Sequence, residues 1–473
     1  MIFSSVLFLF AFLPVVIALY YLSDEKYRNG VLLVASLLFY AYSEPKFIFV
    51  MMISVALNYI FALWMDKSVV DSWRKIILIL SLMWNIGILF IYKYLDFSIT
   101  ISNDLLKSNC SPAGIILPIG ISFFTFQIIS YEIDVYRKAV PVQHNIWILE
   151  LYISFFPKLS AGPIVRYHTF EKQIQNRSVN WDLFGAGAKR LLCGLCKKVI
   201  LANNLSIVAE KAFADHNYAE KPVLLAWLGA ICFSLRIFYD FSGYSDMAIG
   251  LGKMFGFEFE ENFNYPYISK TVTEFWRRWH ISLGRWFRDY VYIPLGGSHC
   301  STIRHIFNLF LVWLLTGIWH GANYTFIVWG LSYFVLQIIE KYLIHPEEQK
   351  WPLRNVWQIL TLLFVIFEWV IFYSDSLANG IRYCLSMFGF YYGNAFFDSS
   401  IYVLIREYGW YIVMAVLFSA PVGPYFEKKL AGLKRGGKIL EQVVVPLIYV
   451  FGFIWSISFL ALGAHNPFLY FKF

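Results

Sequence analysis

Twelve apolar stretches, most of them near the ~20 residues that carry a helix across a bilayer, constrain this chain more than any other feature. They lie at residues 5–22, 29–43, 46–65, 75–95, 115–133, 190–206, 223–250, 306–322, 324–339, 354–374, 408–426 and 443–464. With 59% hydrophobic and only 15% charged residues, the chain has more apolar surface than one soluble core could bury. We therefore predict an all-α polytopic membrane protein with about twelve transmembrane helices.

Basic residues in the loops predict the orientation of these helices. Eight Lys or Arg lie within 158–198, seven within 253–305 and five within 428–438, whereas 98–113 and 375–405 contain few. Because short basic loops stay on the cytoplasmic side of a membrane, we expect the first three segments inside and the other two outside. The same alternation places both termini on the extracytoplasmic side.

One segment breaks this alternation. Residues 145–157 are apolar but lie between two basic segments, so a half-crossing or in-plane helix is expected there. No internal repeat or low-complexity linker divides the chain, and we predict a single membrane-embedded domain over 1–473. Within it, N-terminal helices at 1–97 and C-terminal helices at 346–473 flank a core at 98–345.

Several function classes lack their usual sequence signs. The chain has no Walker lysine loop, HExxH, GxSxG or GxGxxG motif, which argues against nucleotide-driven pumping, zinc proteolysis and α/β-hydrolase chemistry. Cys193 and Cys196 have CxxC spacing, but neither a second pair nor a nearby His ligand accompanies them. Small packing residues are favoured over a redox or metal role, and we expect no bound cofactor, no metal and no nucleic-acid partner.

The first polar cluster at membrane depth is FYDFSGYSDMAIG at 238–250. Asp240 and Asp246 are too close in sequence to lie on opposite sides of the bilayer, and the interleaved Ser and Gly are typical of close helix packing. Buried carboxylates are costly and usually face a partner or a cavity. These two either tie helices together, through Arg236 or a cytoplasmic arginine, or take a direct part in catalysis.

The second cluster, at 274–290, predicts one amphipathic helix lying in the cytoplasmic interface. Its apolar face gathers Trp276, Trp279, Leu283, Trp286 and Phe287, and its other face gathers Arg278, Arg285 and Arg288. His280 falls beside the aromatic stripe. The basic face either attracts anionic lipid or, together with Arg277, holds the phosphates of an anionic donor.

The third cluster is GIWHGANYTF at 317–326, which places His320 in a region without Asp, Glu, Lys or Arg from 305 to 339. If the helix starts near Ile306, His320 lies about 21 Å along it, within a hydrocarbon core about 30 Å thick. Three residues are expected to loosen the helix and admit a ligand: Gly317, Gly321 and Asn323. The histidine is then either a satisfied core residue or a general base.

Together, these clusters resemble a known family. FFPKLSAGPIVRY at 155–167, the stretch from FYDFSGY to YIPLGG at 238–297 and TGIWHGANYTFIVWG at 316–330 are similar to the membrane-bound O-acyltransferase family. Within it, they most resemble the membrane subunit of alginate and related exopolysaccharide O-acetyltransferases. LPIGISFFTFQIISYEIDVYR at 117–137 shares the likeness, which covers most of the chain.

The resemblance implies a ring of tilted helices, with an acyl donor entering from the cytoplasm and an acceptor from outside. The histidine of the family's WHG motif corresponds to His320, and its second signature position corresponds to His280. Acetyl transfer from a thioester to an alcohol needs a base at the hydroxyl, a role expected for His320. His280 is expected to bind the thioester carbonyl or to orient His320. Four further residues are expected to support the site: Asp240, Asp246, Trp319 and Asn323.

The resemblance also implies a multi-pass protein of the bacterial inner membrane, in contact with membrane lipid. Acetyl-CoA is the expected donor, a polysaccharide is the expected acceptor, and extracytoplasmic proteins are the expected partners. D-alanyl transfer to teichoic acid from a carrier protein is the alternative within the family. Two other classes remain open. A transporter is expected to show repeated halves with broken helices, whereas a scaffold of an export complex would keep the helices without the chemistry.

Overall fold

A computed structural model of the protein describes residues 1–214, 216–391, 393–431, 443–463 and 469. Over these residues the chain forms α-helices, with short π-helical and 3-10 turns between some of them, and contains no strand. The predicted all-α class is therefore confirmed. Most of the basic loop expected on the cytoplasmic side before the last helix lies outside the described residues.

The N-terminal half alternates long helices with short ones. Its helices are α1 Leu13–Leu22, α2 Glu25–Ser43, α3 Ile48–Lys67, α4 Asp71–Leu89, α5 Leu95–Leu106, α6 Ile121–Tyr136, α7 Ile146–Ser154, α8 Phe156–Leu159, α9 Tyr167–Asn176, α10 Trp181–Cys196, α11 Asn203–Ala214 and α12 Val223–Met254. π-Helical turns at Phe8–Phe12, Phe90–Tyr94 and Lys197–Ala202 join neighbouring segments without ending the helix.

The C-terminal half begins with two short helices and continues with longer ones. These are α13 Val272–Arg278, α14 Ile281–Phe287, α15 Thr302–His320, α16 Tyr324–Ile339, α17 Leu353–Tyr373, α18 Leu377–Ser386, α19 Ser399–Phe418, α20 Val422–Ala431 and α21 Val445–Ala461. A 3-10 turn at Pro266–Ile268 precedes α13, and π-helical turns follow α14 and α16.

Each predicted apolar stretch overlaps a helix, although 408–426 is interrupted at 419–421 and 115–133 becomes helical only from Ile121. The helices differ in their ability to cross a membrane. Among the described residues, eight are long and apolar enough: Ile48–Lys67, Asp71–Leu106, Trp181–Ala214, Val223–Met254, Thr302–His320, Tyr324–Ile344, Leu353–Tyr373 and Ser399–Phe418. Phe8–Leu22 and α21 are apolar but shorter. The first turn of α2 is charged, and the 16-residue α6 carries two acidic residues near its end, which explains why the structure has fewer long apolar helices than the sequence predicted.

The described residues form two compact units. The first comprises Met1–Leu191, Met247–Glu260 and Trp286–Tyr290, and the second comprises the rest of the chain from Leu192 onwards. The single domain stays a prediction.

In the first unit, α7 and α8 have nine and four residues, and the last six of α7 and all four of α8 are buried. Neither is long enough to cross a bilayer. This agrees with the half-crossing or in-plane helix that the sequence predicts for this segment. Phe156 of α8 packs against Phe39 of α2 with the ring centroids 5.7 Å apart, which holds the short helices against the long ones.

The core of the second unit is unusually aromatic. Trp279, Trp329, Trp369 and Tyr333 are each no more than 1% exposed, and they belong to one cluster of apolar side chains. Their rings meet edge to face or tilted, as in the 4.8 Å contact between Trp279 and Trp369. His320, one of the two predicted catalytic histidines, contacts Trp329 of this cluster.

Candidate active site

A break between α13 and α14 positions His280. The sequence predicts one continuous helix over this segment, and that prediction is wrong: α13 ends at Arg278, and α14 begins at Ile281. His280 has a φ of 44°, in the left-handed region that costs a residue other than glycine roughly 1–3 kcal/mol. The apolar and basic faces predicted for one straight helix therefore do not extend from α13 across His280 into α14.

Asn262, in the loop after α12, explains the break. Its backbone carbonyl accepts a hydrogen bond from the Ile281 N–H at 3.0 Å, and its side-chain Oδ1 accepts one from the Ser282 N–H at 3.2 Å. The Asn264 N–H in turn donates to the Arg278 carbonyl at 2.9 Å. These bonds take up backbone groups that a continuous helix would pair internally, so the two helices form separately.

His280 is buried among uncharged groups. The residue is 1% exposed, and its ring lies 4.7 Å from the Phe241 ring and 5.9 Å from the Trp319 ring, measured between centroids. Its Nδ1 atom lies 3.2 Å from Asn262 Oδ1. Burial lowers the pKa of His280 to about 3, so the imidazole is neutral near pH 7.

His320 is the last residue of α15, and Gly321 continues in an extended conformation. The histidine is 3% exposed, and its ring centroid lies 4.9 Å from that of Trp319, 4.8 Å from that of Trp329 and 5.5 Å from that of Phe372. The sequence predicts a histidine within a loosened helix. The structure instead places it where the helix ends, enclosed by three aromatic rings.

The glycines near His320 allow close packing. A Cβ atom at Gly317 would lie 2.5 Å from the Phe326 carbonyl oxygen, and one at Gly330 would lie 2.5 Å from the Trp313 carbonyl oxygen. α15 and α16 can therefore approach closely only because both positions lack a side chain. Gly317 therefore permits close packing and does not loosen α15, whereas Gly321 and Asn323 lie in the interruption between α15 and α16.

Asn323 has a capping role at the start of α16. Its side-chain oxygen accepts a hydrogen bond from the Thr325 N–H at 3.1 Å, and its amide donates to the Asp375 carbonyl at 3.0 Å. The residue therefore fixes the turn that follows His320.

Trp319 brings the two histidines together. Its indole contacts the imidazoles of both His280 and His320, so the two predicted catalytic side chains share one aromatic neighbour. All three residues are buried. The arrangement places two imidazoles, of which that of His280 is neutral, in an aromatic environment, where hydrogen bonds and partial charges act more strongly than in water.

The predicted phosphate-binding arginines are not grouped on one helix face. Arg277 and Arg285 are exposed, whereas Arg278 forms an ion pair with Glu274 at 2.8 Å. Arg288 pairs with Asp289 at 2.8 Å and belongs to the first unit, unlike the other three. A phosphate at Arg278 or Arg288 would have to compete with these carboxylates.

Asp240 and Asp246 pair with two adjacent lysines. Lys198 Nζ lies 2.5 Å from Asp240 Oδ1, and Lys197 Nζ lies 2.6 Å from Asp246 Oδ2. The Leu469 N–H also donates to Asp240 Oδ2 at 2.8 Å. The carboxylates thus tie helices together, as one of the two predicted alternatives requires. The π-helical turn after α10 supplies both lysines, and Arg236, one of the expected partners, pairs with Glu210.

Comparison with known proteins decides the family. The model of the membrane-bound O-acyltransferase family matches residues 37–388, which is most of the chain. The chain belongs to this family. As a member of it with eight long apolar helices among the described residues, the protein is an acyltransferase and a multi-pass bacterial membrane protein.

Three curated relatives illustrate the range of similarity within the family. The chain is 43% identical over 399 residues to a protein named probable alginate O-acetylase AlgI from Pseudomonas aeruginosa, covering 82% of this chain and 75% of that one. It is 34% identical to the peptidoglycan O-acetyltransferase of Helicobacter pylori, covering 82% and 80%. It is 31% identical to the teichoic acid D-alanyltransferase of Bacillus subtilis, covering 55% and 68%.

Sequence reasoning missed one residue at this O-acyltransferase site. Asn262 is fully buried and contacts His280, Ser282 and Ser245. Its only sequence signal is an asparagine in a loop that also contains Asn264 and Pro266, residue types that are typical of any turn. Nothing in that pattern indicates a contact with a residue 18 positions later.

Proposed function

We propose that this acyltransferase O-acetylates an extracytoplasmic polysaccharide such as alginate, with acetyl-CoA on the cytoplasmic side as the thioester donor. The acetyl group reaches the polymer directly or through an extracytoplasmic partner protein. The similarity to a probable alginate O-acetylase over 82% of the chain supports the acceptor class. The observation that carries the chemistry is the contact of both His280 and His320 with the indole of Trp319.

In the proposed reaction His320 is the general base. It takes the proton of the acceptor hydroxyl while the hydroxyl oxygen attacks the thioester carbonyl carbon. The carbon–sulfur bond then breaks, and the proton returns to the departing thiolate. The buried aromatic setting suits this step, because exclusion of water prevents hydrolysis of the thioester and strengthens the base–hydroxyl hydrogen bond.

In the same proposal, Arg277 and Arg285 attract the phosphates of the donor. Both side chains are exposed and close in sequence to His280, the one before and the other after it. Arg278 and Arg288 take part only if a phosphate displaces Glu274 or Asp289 from its ion pair. Exposed arginines are suited to phosphate because their planar donors bind two oxygens at once.

D-alanyl transfer to teichoic acid is the second candidate. It is favoured by the 31% identity to the Bacillus subtilis enzyme, but that match covers only 55% of the chain.

A transporter is disfavoured by the ion pairs of Asp240 and Asp246, which leave neither carboxylate in the role of an ion-binding site. A scaffold without chemistry would not need the paired histidines.

The proposal is tested with the purified protein in proteoliposomes, supplied with radiolabelled acetyl-CoA and an oligosaccharide acceptor, with and without extracytoplasmic partners. We expect label to move to the acceptor or the partner, and the His320→Ala protein to lose this activity. Label transfer only from a D-alanyl carrier protein would favour the second candidate. Full acetylation of the polymer in cells by His320→Ala would favour a scaffold.

A further inference from the structure

We propose that Asn262 is a positioning residue that fixes the tautomer of His280, so that the Nε2 atom of this imidazole accepts a hydrogen bond during acyl transfer and does not donate one. The inference rests on the proposed function, because it assumes that His280 acts in the reaction. Of the two roles expected for His280, binding of the thioester carbonyl and orientation of His320, the inference favours the second.

The orientation of the Asn262 amide follows from its neighbours. The backbone N–H of Ser282 can only donate, and it lies 3.2 Å from one terminal atom of the Asn262 side chain, which must therefore be the oxygen. The Ser282 hydroxyl meets the same atom at 2.9 Å. The other terminal atom, Nδ2, lies 3.0 Å from Ser245 Oγ, to which it donates.

The tautomer of His280 follows from the amide orientation. Its Nδ1 atom lies 3.2 Å from Asn262 Oδ1, and an amide oxygen can only accept, so Nδ1 carries the proton. A neutral imidazole has one N–H group, which leaves the lone pair on Nε2. The Phe241 and Trp319 rings and the Asn262 amide, which all contact His280, carry no charge that would favour an imidazolium.

This tautomer limits what His280 does in the reaction. Stabilising the oxygen of a thioester carbonyl requires a hydrogen-bond donor, and the sole N–H of His280 is committed to Asn262. The Nε2 lone pair instead accepts from an N–H or O–H group, such as the imidazole N–H of His320 or the acceptor hydroxyl. His280 therefore orients the base or the nucleophile, and the donors for the oxyanion come from other groups.

The backbone of Asn262 reinforces this arrangement. Its carbonyl holds the Ile281 N–H at 3.0 Å, next to the left-handed His280. Unfavourable backbone conformations persist only where surrounding contacts enforce them, and they concentrate at functional sites. Asn262 thus controls both the direction of the His280 ring and its protonated atom.

Two substitutions of Asn262 separate this role from a purely structural one. Asn262→Leu has a similar volume but no acceptor, and we expect turnover to fall by about 10²-fold or more, with the Michaelis constant for the donor little changed. Asn262→Asp keeps the acceptor oxygen and adds a negative charge, which raises the pKa of His280. Its activity should therefore be retained at high pH and lost as the pH falls through that raised pKa.

Asn264 provides the matched control, since it is an exposed asparagine in the same loop that joins Arg278 through its backbone. Asn264→Asp and Asn264→Leu should keep the wild-type turnover and pH profile. All variants are compared at equal membrane abundance, with acetylation measured between about pH 5 and 9, where neutral His280 of the wild type does not titrate.

Wild-type turnover of Asn262→Leu, or a wild-type pH profile of Asn262→Asp, would overturn the inference. If Asn262→Leu fails to accumulate, the profile of Asn262→Asp decides alone. Inactive His280→Ala together with active Asn262→Leu would refute the positioning role and leave the proposed function intact. Active His280→Ala and His320→Ala would instead refute the proposed function.

Discussion

The imidazole of His320 meets the indole of Trp319 edge to face, with an angle of 80° between the rings and 4.9 Å between their centroids. The two residues are consecutive and close α15, so the end of a helix, and not its middle, presents the pair. A helix end leaves backbone carbonyls without internal partners and lets the chain turn sharply. His320 is therefore buried, and it lies next to backbone groups that are not paired within the helix.

Loss of the His320 ring tests its role as a base. We expect His320→Ala and His320→Gln to lower turnover by about 10²- to 10⁴-fold, the usual contribution of general acid–base catalysis. Gln retains much of the side-chain volume, so it limits the cavity that Ala leaves among the aromatic rings. Polymer acetylation is measured alongside the membrane abundance of each variant.

His305 is the control for this test, because it is a buried histidine at the first turn of the same helix. Its Nδ1 and Nε2 atoms contact the hydroxyls of Tyr342 and Tyr292, at 2.6 and 2.8 Å, and it has no part in the proposed reaction. His305→Gln should retain acetylation. Near-normal acetylation by both His320 variants at normal abundance would reject the base assignment.

The exposed arginines are expected to act on the donor. Arg277→Gln and Arg285→Gln should raise the Michaelis constant for acetyl-CoA and leave turnover at saturation nearly unchanged, because lost phosphate contacts weaken the ground and transition states alike. Arg304→Gln, at an exposed arginine in the same predicted cytoplasmic segment, is the control. Donor kinetics in proteoliposomes provide the measurement, and an unchanged constant would assign the arginines to lipid binding.

The Lys198–Asp240 ion pair is expected to stabilise the fold and not to take part in catalysis. Both side chains are nearly inaccessible, at 2% and 3% exposure, so Asp240→Ala leaves a buried ammonium uncompensated and should cost about 3–5 kcal/mol. The double variant Lys198→Met with Asp240→Leu removes both charges and should regain most of that loss. Thermal unfolding of detergent-solubilised protein measures the effect.

Activity of the same double variant separates the two roles of Asp240. Restored stability with restored acetylation is the expected result, whereas restored stability without acetylation would give the carboxylate a catalytic part. Lys197 and Asp246 form the comparison pair. The Lys197 side chain is 31% exposed, so water can solvate its ammonium group when Asp246 is replaced. Asp246→Ala should therefore destabilise the protein less than Asp240→Ala.

Much of the helical framework could be predicted, because hydropathy acts locally along the chain. Each apolar stretch overlaps a helix, and the interruption near residue 323 separates α15 from α16 as the pattern indicates. The break at His280 could not be predicted in this way. The 3.6-residue periodicity of the apolar residues continues through the histidine. The hydrogen bonds that end the helix there come from Asn262, which is distant in sequence.

The contacts of the candidate site residues could not be predicted from the sequence. Trp319 contacts both His280 and His320, and Lys197 and Lys198 pair with the aspartates, which no sequence pattern indicated. Adjacent residues on a regular helix point about 100° apart. A π-helical turn changes that relation locally, and no composition rule predicts where one occurs.

The glycine contact between α15 and α16 should be intolerant of any side chain. Gly317→Ala or Gly330→Ala puts a methyl group 2.5 Å from a backbone oxygen, so the helices must separate, and stability should fall by roughly 1–3 kcal/mol. Gly87→Ala in α4 is the control, since no atom lies within 4 Å of the added Cβ and alanine favours the helix. Equal unfolding temperatures for Gly317→Ala and the control would contradict the close-packing role.

Topology is tested with a cysteine that the chain already has. Cys110 is exposed and lies in a loop predicted to be extracytoplasmic, whereas Ser178 is exposed in a loop predicted to be cytoplasmic. In spheroplasts, a membrane-impermeant maleimide should label Cys110 at once, and Cys110→Ser should remove that signal. Ser178→Cys, built on Cys110→Ser, should react only after permeabilisation. Labelling in the opposite order would place the arginines beside His280 outside the cell, away from the acetyl-CoA pool, and the proposed direction of acyl transfer would fail.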